Sequence, residues 1–223
     1  MISGNSPDVD PANNDTLAGV LQFAFSKMLQ NVNGMLPAKI VSVSADRTRV
    51  SVQLLIAVVT TSGAQIARPQ IANLPVFTLG GGNLFLSFPL NTGDLGWVLA
   101  NDRDISLFLQ NYNATAPNTG RIKNFADGVF LPDIMTGYTI NSEDNASAVL
   151  SSKDGTTRIA IHPSGIKITA GTVTIAGNAE VTGTFKADTT SEFVGIATFD
   201  AGSMMSGTIV LTGLGTFPFV ITP

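Results

Sequence analysis

LFLSFPLNTGDLGWVLANDRDISLFLQ, residues Leu84–Gln110, is the stretch from which the fold is read. Leu84, Leu86 and Phe88 alternate with Phe85 and Ser87, the two-residue period of a strand with one fully apolar face. Pro89 stands at its end, where a missing N–H is tolerated. Asn91-Thr92-Gly93-Asp94 supplies turn chemistry, and Gly93 can take a positive φ. A second strand follows over Leu95–Ala100 with the single tryptophan, Trp97. Asn101-Asp102 then predicts the cap of a short helix with Ile105, Phe108 and Leu109 on one face. A hairpin feeding such a helix is a way to plug the floor of a small β-barrel.

Upstream, residues 1–14 are rich in Pro, Asn and Asp and read as an arm. From Asp15 the period changes. Leu17, Val20, Leu21, Ala24, Phe25, Met28, Leu29 and Val32 step as one helical face, with Asp15 as the expected N-cap and Gly34 near the end. Such a helix either joins sister subunits or a hub, or lies on its own barrel. Pro37 ends any helix, and Lys39–Ser44 and Arg49–Val59 predict two strands around the turn Ala45-Asp46-Arg47-Thr48. Leu74–Thr78 is the third strand. Gly80-Gly81-Gly82 is followed by a strand and has no nearby Lys, so it reads as a hairpin tip rather than a phosphate cradle. Downstream, Asn111–Gly120 is a polar loop and Phe125–Leu131 the last barrel strand.

These residues carry a resemblance. Pro89 with Gly93-Asp94, then Arg103-Asp104-Ile105, then Asp127-Gly128-Val129-Phe130-Leu131-Pro132, over roughly residues 15–135, resemble the N-terminal OB-fold domain of central spike proteins of contractile-tailed bacteriophages. Five strands and one short helix are also the count of an OB-fold.

Beyond Gly155 a second grammar begins. Glycines at 165, 171, 177, 183, 195, 207 and 213 are separated by multiples of six. Seven of the ten glycines after residue 154 share that phase, far above the one in six that chance would place. Short alternating segments lie between them, and a six-residue period with two inward apolar groups marks a β-helix or β-prism. One chain shields so narrow a stripe poorly, the alternative being a single-chain Gly/Thr-rich sandwich, whereas three around an axis bury it and also pair their open strand edges. The expected trimer core is Ile159, Ile161, Ile166, Ile168, Val173, Ile175, Phe185, Ile209 and Leu211. About eleven hexads at ~4.7 Å per rung predict a rod of ~50 Å. At its end Phe217, Phe219, Val220 and Ile221 form an apolar cluster, expected either to close on itself or to receive a separate small tip protein.

Composition excludes several functions. Charged residues are 13% of the 223, about half the usual share, and hydrophobic residues 44%. A net charge of −4 offers no basic face for nucleic acid. There is no cysteine, hence no disulfide framework or thiolate metal site. The N-terminal MISGNSPDVDPANND does not read as a signal peptide, and the aliphatic run Leu54–Val59 is far too short to span a bilayer. The sole histidine, His162, reads as an exposed turn residue. No Gly-x-Ser-x-Gly elbow is present, so neither catalytic residues nor a cofactor is expected. Asp102 and Asp104 read as helix-cap partners and Glu143-Asp144 as a solvated pair in a linker.

The expected protein is mainly β. Residues 1–34 are an arm and amphipathic helix, 35–138 an OB-fold barrel, and 139–223 a linker and trimeric β-helical spike. The resemblance implies a non-enzymatic virion protein, made in the host cytoplasm and built into the tail baseplate. It would be a homotrimeric central spike that meets hub or tube proteins at its N-terminal side and briefly contacts the host outer membrane. Many spikes of that family end in a His-x-His iron site, which this sequence lacks, so a metal-free rod is expected. The competing reading is a short tail fibre that binds a surface glycan. It is disfavoured because neither Trp nor Tyr follows Tyr138.

Overall fold

A computed structural model describes residues 16–30, 32–60 and 63–188 of the chain. The elements in order are helix α1 (Leu17–Gln30), strands β1 (Met35–Val43), β2 (Arg49–Leu54), β3 (Val58–Val59), β4 (Gln65–Ile66), β5 (Ile71–Pro75), β6 (Leu79–Gly81), β7 (Leu84–Leu86) and β8 (Leu95–Asn101), helix α2 (Phe108–Asn111), and strands β9 (Asn124–Pro132), β10 (Ala148–Ser151), β11 (Arg158–His162) and β12 (Gly165–Thr169). Two compact units are distinguished, Met1–Gly171 and Thr172–Pro223. The second is described over residues 172–188, which carry no strand.

The first unit is built on a five-stranded antiparallel sheet in the order β5-β2-β1-β8-β9. Its alternation follows the sequence: Val50, Val52 and Leu54 point inward, Arg49, Ser51 and Gln53 outward. Register shifts at Ile40/Ser42, Val50/Val52 and Leu99/Asn101 let the strands bend. The sheet thereby curls until its outer strands nearly meet. Val76 bridges to Phe130, and the Phe77 N–H donates to the Phe130 carbonyl at 2.7 Å. The resulting barrel encloses a core centred on Ile40, Val50, Val52, Leu74, Val98 and Phe130.

Several expected elements differ. Thr16 caps α1, its hydroxyl oxygen accepting the Gly19 N–H at 3.0 Å; Asp15 lies outside the described residues. The helix ends at Gln30 because the chain is already joined to the barrel at Gly34, whose carbonyl accepts the Ala100 N–H. Pro37 lies inside β1. The run from Arg49 is not one strand to Val59. Pairing of β1 with β2 extends to Ala38 and Leu54, Pro37 has no N–H to extend the ladder, and β3 turns away to pair with β4. The third barrel strand starts at Ile71 and not at Leu74.

The stretch Leu84–Gln110 also departs from the expected hairpin. Leu84–Leu86 pairs back on Leu79–Gly81 around Gly82-Asn83, so it forms a separate two-stranded sheet outside the barrel. Gly82 there takes a φ of +58°. Only Leu95–Asn101 enters the barrel. The short helix starts at Phe108, and none of its residues is buried, so it does not plug the floor. Helix entry is organised instead by Asp104, whose Oδ1 accepts the Ser106 N–H at 2.9 Å.

Beyond the barrel, β10, β11 and β12 form an antiparallel meander. Its first turn repeats the β1–β2 turn. In Ser44-Ala45-Asp46-Arg47-Thr48 and Ser152-Lys153-Asp154-Gly155-Thr156 the serine hydroxyl donates to the aspartate, which also accepts the threonine N–H at 3.2 and 3.1 Å. In both, the serine Oγ accepts at 3.0 Å from the N–H of the next residue, Arg49 or Thr157. The fourth position has a positive φ, at Arg47 and Gly155. Side chains that replace backbone partners at a turn are what Ser, Asp and Thr supply best.

Candidate functional site

The meander brings together four of the expected core residues. Ile159 stands opposite Ile168 and Ile161 opposite Ile166 across β11 and β12; Leu150 and Ala148 continue these two rows on β10. Directly opposed residues lie on the same face of a sheet, so one face consists of Ala148, Leu150, Ile159, Ile161, Ile166 and Ile168. It is open to water, Ile166 with 68% of its surface exposed and Ile168 with 55%. Half-exposed Leu and Ile grouped this closely are unusual on a lone soluble chain. Val173, Ile175 and Phe185 are exposed in the second unit and have no strand around them. Ile209, Leu211, Phe217, Phe219, Val220 and Ile221 lie outside the described residues.

The opposite face is polar and anchored. Arg158 is only 8% exposed. Its Nε donates to Asp144, its Nη1 to the Gly155 carbonyl at 3.0 Å, and its Nη2 to Glu143. Lys167 reaches the same Glu143 at 2.7 Å. Glu143 and Asp144 sit in a 3-10 turn, Ser142–Asp144. They are therefore not a solvated linker pair: Asp144 is buried, and the two carboxylates fix the back of the sheet. A buried charge needs partners of this kind. The meander thus has one face held by ion pairs and one apolar face left open to water among the described residues.

A second ionic cluster lies on the barrel. Arg121 donates to both oxygens of Asp127, at 2.9 and 2.7 Å, and also contacts Asp104 at 3.2 Å. Thr119 donates to the same Asp104 oxygen at 2.7 Å. Asp104 is thus more than a helix cap, while Asp102 pairs with Lys123 on the surface. Nothing in the polar loop Asn111–Gly120 marks Arg121 in advance. The only hint in the sequence is that two aspartates, Asp104 at the helix entry and Asp127 in β9, need a cation.

Ser106 and Thr119 hydrogen bonds, with Arg121 adding to them, hold Asp104 well below the ordinary carboxylate value. Ser44 and Thr48 likewise lower Asp46 from 3.8 to about 2. A depressed folded-state pKa stabilises the fold fully above the unfolded value, and that contribution is lost as pH falls through the folded one. The urea midpoint should therefore fall as pH is taken from about 4 to about 2. Asp46→Asn should flatten part of that slope. A midpoint constant across the interval, or a slope unchanged by Asp46→Asn, would contradict the assignment.

A cleft of about 1110 Å³ lies where the barrel meets the meander and includes Phe88, Leu90, Ile134, Tyr138 and Arg158 in its lining. Three of its carboxylates have structural partners: Asp94 accepts the Asn91 N–H at 2.7 Å, Asp133 accepts the Trp97 indole N–H at 2.7 Å, and Asp144 holds Arg158. His162 is exposed at the end of β11, beside Ser164 of the following turn, with Nδ1 and Oγ 2.6 Å apart. Among the described residues no group of three or more His, Cys, Asp or Glu is placed to hold a metal ion. No described helix is long and apolar enough to cross a membrane. The surface that stands out is the apolar face of the meander.

A comparison with curated proteins finds no match. Residues 36–133, somewhat under half of the chain, match the family model of the phage protein Gp138 N-terminal domain. The matched segment runs from the second residue of β1 to just past the end of β9. The barrel is therefore similar to a phage protein domain, and the chain fits a structural component of a phage virion, of the baseplate or spike kind.

Proposed function

We propose that this chain is the homotrimeric central spike of a contractile-tail baseplate. Three copies stand on the tail axis. The N-terminal side of the trimer faces the hub and tube, and the C-terminal segments form a rod that carries a separate small tip protein. Sheath contraction drives the rod through the host outer envelope, with passing contact to the outer membrane. The role is mechanical, with no catalytic residue and no bound cofactor.

The observation that carries this reading is the face of the meander built from Leu150, Ile159, Ile161, Ile166 and Ile168. Three such sheets around a threefold axis make a triangular prism with all apolar rows inside and the Arg158 and Lys167 rows outside. Each aliphatic side chain fully removed from water contributes roughly 1.5–3 kcal/mol. The match of the barrel to a phage protein domain supports the virion setting.

Electron microscopy of intact particles labelled at this chain tests the placement. One trimer per particle at the axial end of the tail is expected. Several copies around the periphery would instead make it a fibre.

A further inference from the structure

We infer that α1 forms a parallel three-helix bundle with the α1 helices of the two sister chains. The inference rests on the trimeric reading above and goes beyond it, because it assigns the helix to self-association and not to the hub or to its own barrel.

Over Leu17–Gln30 the apolar positions Leu17, Leu21, Ala24 and Met28 are spaced four, three and four residues apart. At 100° per residue these four fall within an arc of about 60°, the seam of a coiled coil. Val20 and Phe25 flank that seam on either side, and Leu29 widens it further. The arc from Val20 to Leu29 spans about 180°, wider than the narrow seam a two-stranded coil needs, and Phe23 lies outside it. A helix that must touch two neighbours uses such a width. Ala24, small and near the middle of the seam, allows close approach of the helix axes.

Among the described residues this face is left open. Leu17, Phe25, Met28 and Leu29 are each more than 60% exposed, and Val20 and Leu21 nearly half. A helix of 14 residues with Gly19 in its first turns is marginal in water without packing. Lys27 is its only charged residue, so three parallel copies bring little like-charge repulsion and the helix offers no charge pattern for an ionic partner. The helix is joined to β1 through residues 31–34. Once three chains are held together elsewhere, such tethering gives the helices an effective concentration of order millimolar toward one another.

The chain has no cysteine, which makes the test direct. Ala24→Cys and, on the opposite side of the helix, Ser26→Cys are each introduced into the full-length protein. Each is measured by light scattering and then oxidised and run on a non-reducing denaturing gel. A trimer in which Cys replaces Ala24 should give about two-thirds of its chains as covalent dimers, since two of three thiols can pair, while the Ser26→Cys protein stays uncrosslinked. A trimer by scattering with no crosslink from Ala24→Cys, or with equal crosslinking from both, overturns the bundle and leaves the trimer standing. A monomer by scattering overturns the trimeric reading and the bundle with it. Crosslinking of Ala24→Cys to another baseplate protein in intact particles, in place of its own sister, also overturns the bundle.

Discussion

Ile168→Asp should leave a chain that scatters light as a 23.2 kDa monomer, while Lys167→Gln remains trimeric. Ile168 and Lys167 are neighbours on β12, yet they face opposite sides. Ile168 stands in register with Ile159, and Lys167 with Ala160. Around a threefold axis the Ile168→Asp chain brings three carboxylates into one apolar layer with no cation near. Burying an unpaired charge costs several kcal/mol. Each 1.4 kcal/mol is a factor of ten, so assembly should weaken by more than a thousandfold. Lys167 loses only an exposed pair with Glu143 when changed to Gln, a contact worth at most about 1 kcal/mol. Trp97 lies on β8 in the barrel, and its fluorescence reports whether the barrel remains folded in either protein. A trimer that survives Ile168→Asp, or a trimer lost equally in both, would show that the apolar face is not the contact.

The parts of this fold that could be read from the sequence are those written in a local period. The alternation Val50, Val52, Leu54 gave the inner face of β2, and the alternation of Ile159 and Ile161 gave the apolar side of β11. The short period could not say which strand a given strand pairs with. Leu84–Leu86 has the pattern of a barrel strand, but three glycines just upstream let it close on Leu79–Gly81. What was least legible is what depends on partners distant in sequence. Arg121 meets Asp104 and Asp127 from 17 and 6 residues away, and Arg158 meets Asp144 across 14. A charged residue in a polar loop looks alike in sequence whether it is solvated or buried in an ion pair. Leu150 lies ahead of the six-residue glycine period, and AVLS is too short to establish a period by itself. Its membership of the apolar face appears only through its pairing with Ile159.

Phe130→Ala should cost the barrel about 3–5 kcal/mol, the range for emptying a buried aromatic site. A typical domain has 5–15 kcal/mol in total, so little stability would remain. Phe130 is fully buried, and its backbone carbonyl is the acceptor that joins the ends of the sheet through the Phe77 N–H. Its ring lies over Gly96: a Cβ at that glycine would sit 2.4 Å from the ring and 2.5 Å from the Leu131 carbonyl oxygen. Glycine at 96 is thus required by close approach, with no special φ involved. Gly96→Ala alone should cost about 1–3 kcal/mol by overfilling. In the Phe130→Ala background the ring is gone but the Leu131 carbonyl remains. The added methyl should then cost less, though still something, and the pair should couple by about 0.5–3 kcal/mol. With a urea slope near 2 kcal/mol per molar, Phe130→Ala lowers the midpoint by about 2 M. Urea titrations of the two single variants and the double variant, followed by Trp97 fluorescence, measure all three quantities. Strict additivity would mean that the ring does not rest on Gly96. A midpoint change below about 0.5 M for Phe130→Ala would mean that closure of the barrel does not depend on this side chain.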